Sequence, residues 1–509
     1  MMRLRGSSLF ARKPIEQMLK EMEGGERLHR VLGPLALTSL GVGATIGTGI
    51  FVLTGQAAAE YAGPSLMLSF VLAGIGCGFA ALCYSELASM VPVAGSAYTY
   101  AYATLGELVA WIIGWDLVLE YAIGSSVVAS GWSNYFNFLF RHVFHAELDP
   151  RFLWSPWYFD AATKQFLMKR VAIVTASGHV ELVRAWFNLP AAALTVLVTI
   201  ILIVGIKESA GFNAAMVLLN LAVILFVIGA GAFYIDPANW TPFFHRREGW
   251  RGVFKGAGQI FFAYIGFDSI STHSEEARSP QRDLPIGIIA SLLICTVLYV
   301  AVSAVLTGMV PYPEIDIHAP IAEAFRRREL PFASILISLG ILAGITSALL
   351  VGMLSQARIL LAMARDGMLP PSIFGAVHPR FKTPWKSTLV IGFLVALGAA
   401  LAPLEFLADL VSIGTLSAFI LVCASVWLLR YRSPELPRPF RAPALSVVAP
   451  LGIIVNGAVM VSLGLDTWIR LFVWMALGLV IYFGYSRHHT RFGKQASTST
   501  PNDGPAVPV

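Results

Sequence analysis

Charge is scarce in this chain. Asp, Glu, Lys and Arg supply 13% of its 509 residues, about half the roughly 25% of an average soluble protein. A soluble chain of this length would divide into several domains, each needing a charged coat, and so few charges exclude that. Disorder of the whole chain is excluded too, since it needs low hydrophobicity. Here 56% of residues are hydrophobic and the mean hydropathy is +0.70. Cysteine is also sparse. Cys77, Cys83, Cys295 and Cys423 lie far apart in apolar stretches with no CxxC pair, so neither a disulfide framework nor a zinc site is expected. They read as small buried hydrophobes. The ten histidines are expected in loops or tails, which leaves no Ser–His pair or metal set at depth for an intramembrane enzyme. No cofactor or metal is therefore expected. A basic stretch interleaved with stacking aromatics is missing, so no nucleic-acid partner is expected. Arg3, Arg5, Arg12 and Lys13 open the chain without a short apolar core and small-residue cleavage site, and no cleaved signal peptide is read.

Long apolar runs are what the chain has in abundance. A helix needs about 20 residues to cross a bilayer, and twelve such stretches follow one another: Leu35–Ala59, Pro64–Val91, Leu108–Phe140, Pro190–Ile206, Phe212–Tyr234, Val253–Thr272, Ile286–Val310, Phe332–Met363, Thr388–Leu404, Leu407–Leu429, Val447–Leu465 and Trp468–Tyr485. Helices are expected because lipid offers no partner to an exposed backbone, while a barrel would show shorter alternating segments. The expected fold is an all-α membrane protein of about twelve spans within residues 35–485. An even count puts both ends on one side, and seven basic residues precede the first span, where they weigh most in orientation. Both termini are expected in the cytoplasm, with the protein in the cell membrane. Residues 1–34 form a tail in which Lys13–Arg30 reads as a short amphipathic helix. Residues 141–189 form a long outer loop, either an interfacial hairpin or a cap over the outer entrance. Residues 486–509 read as a disordered tail.

Two spans carry interruptions. The first contains Gly41, Gly43, Gly47 and Gly49 within nine residues, each costing a helix about 1 kcal/mol relative to alanine. Helix packing through Gly43 and Gly47 is one reading. A discontinuous helix is the other, in which Gly47 and Gly49 let the chain unwind and the freed N–H groups of the second half face an anion. The sixth span repeats the feature at Gly266, followed by Asp268 and Ser269, good starts for a renewed helix. Interruptions at matching places of two halves point to a binding site at mid-depth. Spans one to five and six to ten are then two inverted repeats, followed by two extra helices.

Three motifs make a resemblance specific. The run Gly43–Phe51 is similar to the first-helix signature of the amino acid–polyamine–organocation superfamily. Glu275–Pro285 resembles its loop after helix six, and Arg365–Pro370 the end of its helix eight. The similarity extends from Arg27 to about Tyr485 and is strongest to the cationic amino acid transporter branch. It implies movement of a free amino acid, cationic or small and neutral, across the bilayer by alternating access. A sensor that binds without net transport is the alternative. A zwitterion needs donors for its carboxylate, which the amides of Gly47, Thr48 and Gly49 would supply. It needs acceptors for its ammonium, which the carbonyls of Thr45, Ile46, Phe262, Ala263 and Ile265 would supply, with Tyr264 and Gly266 completing the second break.

Carboxylates at membrane depth are functional suspects by default. Asp116 and Glu120 are four residues apart and share a helix face. The family pattern places a glutamate like Glu120 near the substrate, as a selector of its side chain, whereas Asp116 reads equally well as an interfacial charge. Glu86 reads as gate or packing, Asp268 as a cap more than a substrate contact, and His273 as a solvated loop histidine. Bacterial relatives often carry a coupling lysine where Asn220 aligns, and asparagine does not titrate. That leaves facilitated transport or exchange open and proton coupling undecided. Thr346 and Ser347 fall where sodium-coupled relatives hold an ion, though bonding to their own helix is the preferred reading.

Overall fold

The structure is a computed structural model and describes residues 9, 12–13, 32–91, 96–145, 148–160, 163, 165–174, 179–205 and 210–490. Most of the tail helix expected over Lys13–Arg30 lies outside them. The first span is helix α1, Pro34–Thr45, a gap, and a second half opening with the π turn Gly49–Leu53 and closing with another, Ala58–Ala62. Gly63 at φ +60° turns the chain into α2, Leu66–Met90. A short helix α3, Ser96–Thr104, leads to α4, Glu107–Val118. A π turn, Leu119–Ile123, joins α4 to α5, Gly124–Phe144. After the outer excursion come α6, Leu189–Val204, and α7, Ala210–Ala232.

The second half opens with α8, Trp250–Ile260, which passes through a 3-10 turn, Phe261–Tyr264, to a break and a second 3-10 stretch, Phe267–Glu276. The remaining helices are α9, Pro280–Met309, the short α10, Pro320–Arg327, α11, Pro331–Arg365, α12, Trp385–Leu401, and α13, Leu404–Arg432. Last come α14, Leu445–Ser462, and α15, Leu465–Ile481. Among the described residues eight helical stretches are long and apolar enough to cross a membrane, and α1, α6 and α12 are shorter apolar helices. The fold is an all-α membrane fold. Helical turns continue past Tyr485 to His489, and Thr490 is buried and donates to Glu107 at 2.9 Å. The last helix therefore runs several residues beyond the boundary at 485.

Helix α9 packs along α2 and α1, and α11 along α5 and α7, so the two interrupted spans lie between long uninterrupted ones. Glu86 on α2 is 1% exposed and accepts from the amide of Ala442 at 2.8 Å. It also pairs with Arg430 and Arg438, which fixes the α13–α14 loop to the end of α2. These contacts pack the C-terminal end of α2, one of the two roles, gate or packing, that the sequence leaves open.

The outer excursion forms two antiparallel hairpins, β1 (Trp157–Asp160) with β2 (Gln165–Met168) and β3 (Arg170–Val174) with β4 (Val180–Arg184). Alternation in these short runs puts Phe159 and Phe166 opposite one another, against Phe406 and the Arg470 guanidinium. The other end of the excursion reaches the segment between α9 and α11. There the Trp154 and His318 rings meet tilted, with centroids 4.4 Å apart, and the Lys169 ammonium lies 4.1 Å from the Trp154 ring.

Burial holds the His318 imidazole down at about 4, with Lys169 adding to the effect and Asp316 opposing it. Between pH 4 and its ordinary 6.5 the unfolded chain binds a proton that the folded chain refuses. The stabilisation is therefore complete above 6.5, declines as pH falls towards 4 and levels off below. Thermal unfolding followed across this range should show that slope, and His318→Gln should flatten it.

Candidate functional site

The first break has a simple local cause. Helix α1 ends at Thr45 and Ile46 is extended, at φ −78° and ψ 101°. Its amide still reaches Val42 O at 2.9 Å, and the next amide with an acceptor in its own helix is that of Phe51, on Gly47 O at 3.4 Å. The amides between them stand at the start of a renewed helix, where no carbonyl lies one turn back. In the second break Ile265 is extended and Gly266 has φ +124°, ψ −23°, a conformation side chains disfavour.

The two breaks are in backbone contact. A Cβ on Gly266 would stand 2.6 Å from Ala44 O, and one on Gly49 would stand 2.3 Å from Ala263 Cα. Gly43 serves ordinary packing, since a Cβ there would meet Val217 at 2.4 Å. Gly47 is different. Its nearest neighbour would be Ala348 Cβ at 3.5 Å, so it opens onto space. The glycine run thus contains both of the devices its sequence allows.

That space is a small cavity between the two breaks. Thr45, Gly47, Thr48 and Gly49 line it from the first break, and Phe262, Ile265, Gly266 and Ser269 from the second. Glu120, Tyr121, Gly124, Ser125 and Val128 face it from the α4–α5 junction, and Ala348, Val351 and Gly352 from α11. Three of the expected residues lie behind this wall. Ile46 is buried, Ala263 backs onto Gly49, and Tyr264 turns away to donate to Phe70 O on α2 at 2.7 Å.

Several of the expected ammonium acceptors already hold a proton donor. Thr45 O accepts from Tyr299 at 3.0 Å, Ile46 O from Asn220 Nδ2 at 3.4 Å, and Phe262 O from the Ile265 amide at 3.2 Å. Each carbonyl keeps a second lone pair. The hydroxyls of Thr45 and Thr48 donate to Gly41 O and Val128 O, so neither is aimed inward as a free donor.

The buried carboxylates differ sharply in their partners. Asp268 accepts from Tyr121 at 2.8 Å and from the Gly266 amide at 3.3 Å, bracing the second break instead of capping a helix. Asp116 accepts from Ser417 on α13. Glu120 sits in the π turn, 1% exposed, its carboxylate oxygens making no hydrogen bond of good geometry among the described residues, with the Thr415 hydroxyl of α13 as the neighbouring donor. Asn220 lies against Gly344 of α11 as well as on Ile46 O. Thr346 donates to Leu342 O of its own helix at 2.7 Å and Ser347 is buried; neither lines the cavity. His273 contradicts the reading of a solvated loop histidine. It is 6% exposed, with Nδ1 3.1 Å from Ser269 O, because the renewed sixth span continues past it.

Residues missed in the sequence share a pattern. Gly124 and Val128 follow Glu120 at i+4 and i+8, and Ser125 follows Tyr121 at i+4, so one helix face carries them all. Ala348, Val351 and Gly352 form the same kind of stripe on α11. Tyr299 had no comparable signal.

Residues 32–482 match the amino acid permease family. A branched-chain amino acid permease of Bacillus subtilis is 44% identical over 96% of this chain and 99% of its own length. A methylthioribose transporter of the same organism is 42% identical over 96% of this chain and its full length. The vacuolar cationic amino acid transporter 2 of Arabidopsis thaliana is 41% identical over 84% of this chain and 64% of its own length.

The glycines separate in a mutational test. Gly47→Leu should fill the cavity and abolish binding while the melting temperature in detergent stays close to the parent's. Gly49→Ala should instead force the two breaks apart, lowering stability by about 1–3 kcal/mol as overpacking does. Gly308→Ala, which meets only the flexible side chains of Ile235 and Trp240, should be milder than either. Parental uptake by Gly47→Leu would remove the cavity from the transport path.

Proposed function

This chain belongs to the amino acid permease family and is a multi-pass membrane protein that transports amino acids, and we propose that it does so by alternating access around the cavity between its two broken helices. The substrate carboxylate sits on the amides of Gly47, Thr48 and Gly49, at the positive end of the renewed helix. Its ammonium is received by second lone pairs of the break carbonyls. Both termini are cytoplasmic and the membrane is that of the cell, a reading supported by the seven basic residues before the first span.

The side-chain class is carried by one observation, the carboxylate of Glu120, buried in the cavity wall with no cation beside it among the described residues. A buried carboxylate with only the Thr415 hydroxyl as a neighbouring donor is costly, and a cationic substrate side chain would supply the missing partner. A second reading has its own support. Val128, Ile265, Ala348 and Val351 give the cavity apolar walls that suit a neutral side chain, and the branched-chain permease of Bacillus subtilis is named for such substrates. Thermal stabilisation by each of the twenty amino acids separates the two, because a ligand of the folded state raises stability by mass action. Proteoliposome uptake set against binding in detergent separates a carrier from a sensor.

Under the first reading Glu120→Gln should weaken arginine and lysine about tenfold relative to alanine. That is the part of a buried pair's ~3–5 kcal/mol that a hydrated cavity leaves. An equal loss for all substrates in competition assays would make Glu120 a structural residue.

The driving force follows from Asn220. Its amide bridges the first break to α11 without a titratable group, so substrate should equilibrate across proteoliposomes with no imposed pH gradient. Asn220→Lys should then make the rate pH-dependent. Accumulation by the parent only when the outside is acidified, abolished by an ionophore, would place a proton site elsewhere.

A further inference from the structure

A second cavity lies outside the transport path, at the start of α9. Arg282, Ile286, Ile289 and Leu293 form one wall and Pro439 and Phe440 of the α13–α14 loop the other of an open groove. The loop wall is anchored. Phe440 donates its amide to Ser89 at 3.2 Å, and the Ala442 amide donates to buried Glu86 at 2.8 Å. Polarity is divided along the groove. At its mouth Arg282 is exposed, and Arg441, next in the chain after Phe440 of the facing wall, is exposed too, while the ion pairs of this end of the molecule use Arg358, Arg430 and Arg438 instead. Beyond the mouth Ile286 and Leu293 are 40% and 60% exposed, and Val297, one turn further, 68%. These positions recur every three or four residues and so share one face of α9, directed at the bilayer.

A basic mouth that continues into an apolar, membrane-facing trough matches one kind of molecule. A soluble anion would leave the trough empty, and an uncharged lipid would leave the arginines unanswered. We propose that this groove binds an anionic phospholipid of the surrounding bilayer, its phosphate on Arg282 and Arg441 and one acyl chain laid along Ile286, Ile289 and Leu293 against Phe440. Only a short linker, 277–279, separates α9 from the stretch Phe267–Glu276 that follows the second break.

Native mass spectrometry of the full chain in detergent tests the assignment, with phosphatidylglycerol and phosphatidylcholine of identical acyl chains at equal concentration. Phosphatidylglycerol should be retained in preference, and Arg282→Gln and Arg441→Gln should each lower that preference about fivefold, the weight of one basic residue near an anionic lipid. Both side chains are exposed, so neither change disturbs packing. Raising the salt concentration on the parent protein should lower retention of phosphatidylglycerol alone, and excess inorganic phosphate should not displace it. Equal retention of the two lipids, a preference that survives the double variant, or displacement by phosphate would each overturn the proposal.

Discussion

Everything at the centre of this molecule depends on two stretches of non-helical backbone touching each other inside a membrane. Hydrocarbon tolerates irregular backbone only where protein covers it or water reaches it. Here each break covers the other. Gly266 lies on the Ala44 carbonyl and Gly49 on the Ala263 backbone, at separations no Cβ would allow. Tyr299 and Asn220 then reach in from α9 and α7 to satisfy Thr45 O and Ile46 O. Gly47, Thr48 and Gly49 at the start of the renewed helix line the cavity, so the contact that makes the breaks tolerable also builds its wall.

Much of this was legible beforehand, for a definite reason. Glycine in a helix is costly and a glycine run in an apolar span has few explanations, so Gly47, Gly49 and Gly266 marked the breaks without any partner being known. What the breaks contact was not legible. Tyr299 meets Thr45 across 254 residues and Tyr121 meets Asp268 across 147, and no local pattern announces such pairs. Tyr264 and Ile46 lay inside the motifs that flank the cavity, yet the turn of the chain sends both behind its wall. His273 was misread because a 3-10 stretch carries the sixth span past the point where hydropathy falls.

The buried carboxylates show how burial sorts roles that sequence leaves equal. Glu86 has two arginines and an amide, Asp268 a tyrosine and an amide, and Asp116 a serine. Each is bound into the contact between segments that it joins. Glu120 alone among these four makes no hydrogen bond of good geometry within the described residues, its neighbouring donor being the Thr415 hydroxyl, and it alone faces the cavity. Membrane depth made all four suspects, but the distribution of hydrogen bonds separates a cavity-lining acid from three braces.

The π turn Leu119–Ile123 gives the α4–α5 rod a joint between two helical phases. An α-helix advances about 100° per residue, so a wider turn resets which side chains beyond it face inward, while Trp111 and Trp115 before it keep their seats against the last helix. Lineages that gain or lose a single codon in this turn would swing Ser125 and Val128 away from the cavity without touching the outer packing. Selectivity in such a scaffold can diversify by insertion and deletion as readily as by substitution, and the positions to compare among relatives are gaps as well as residues.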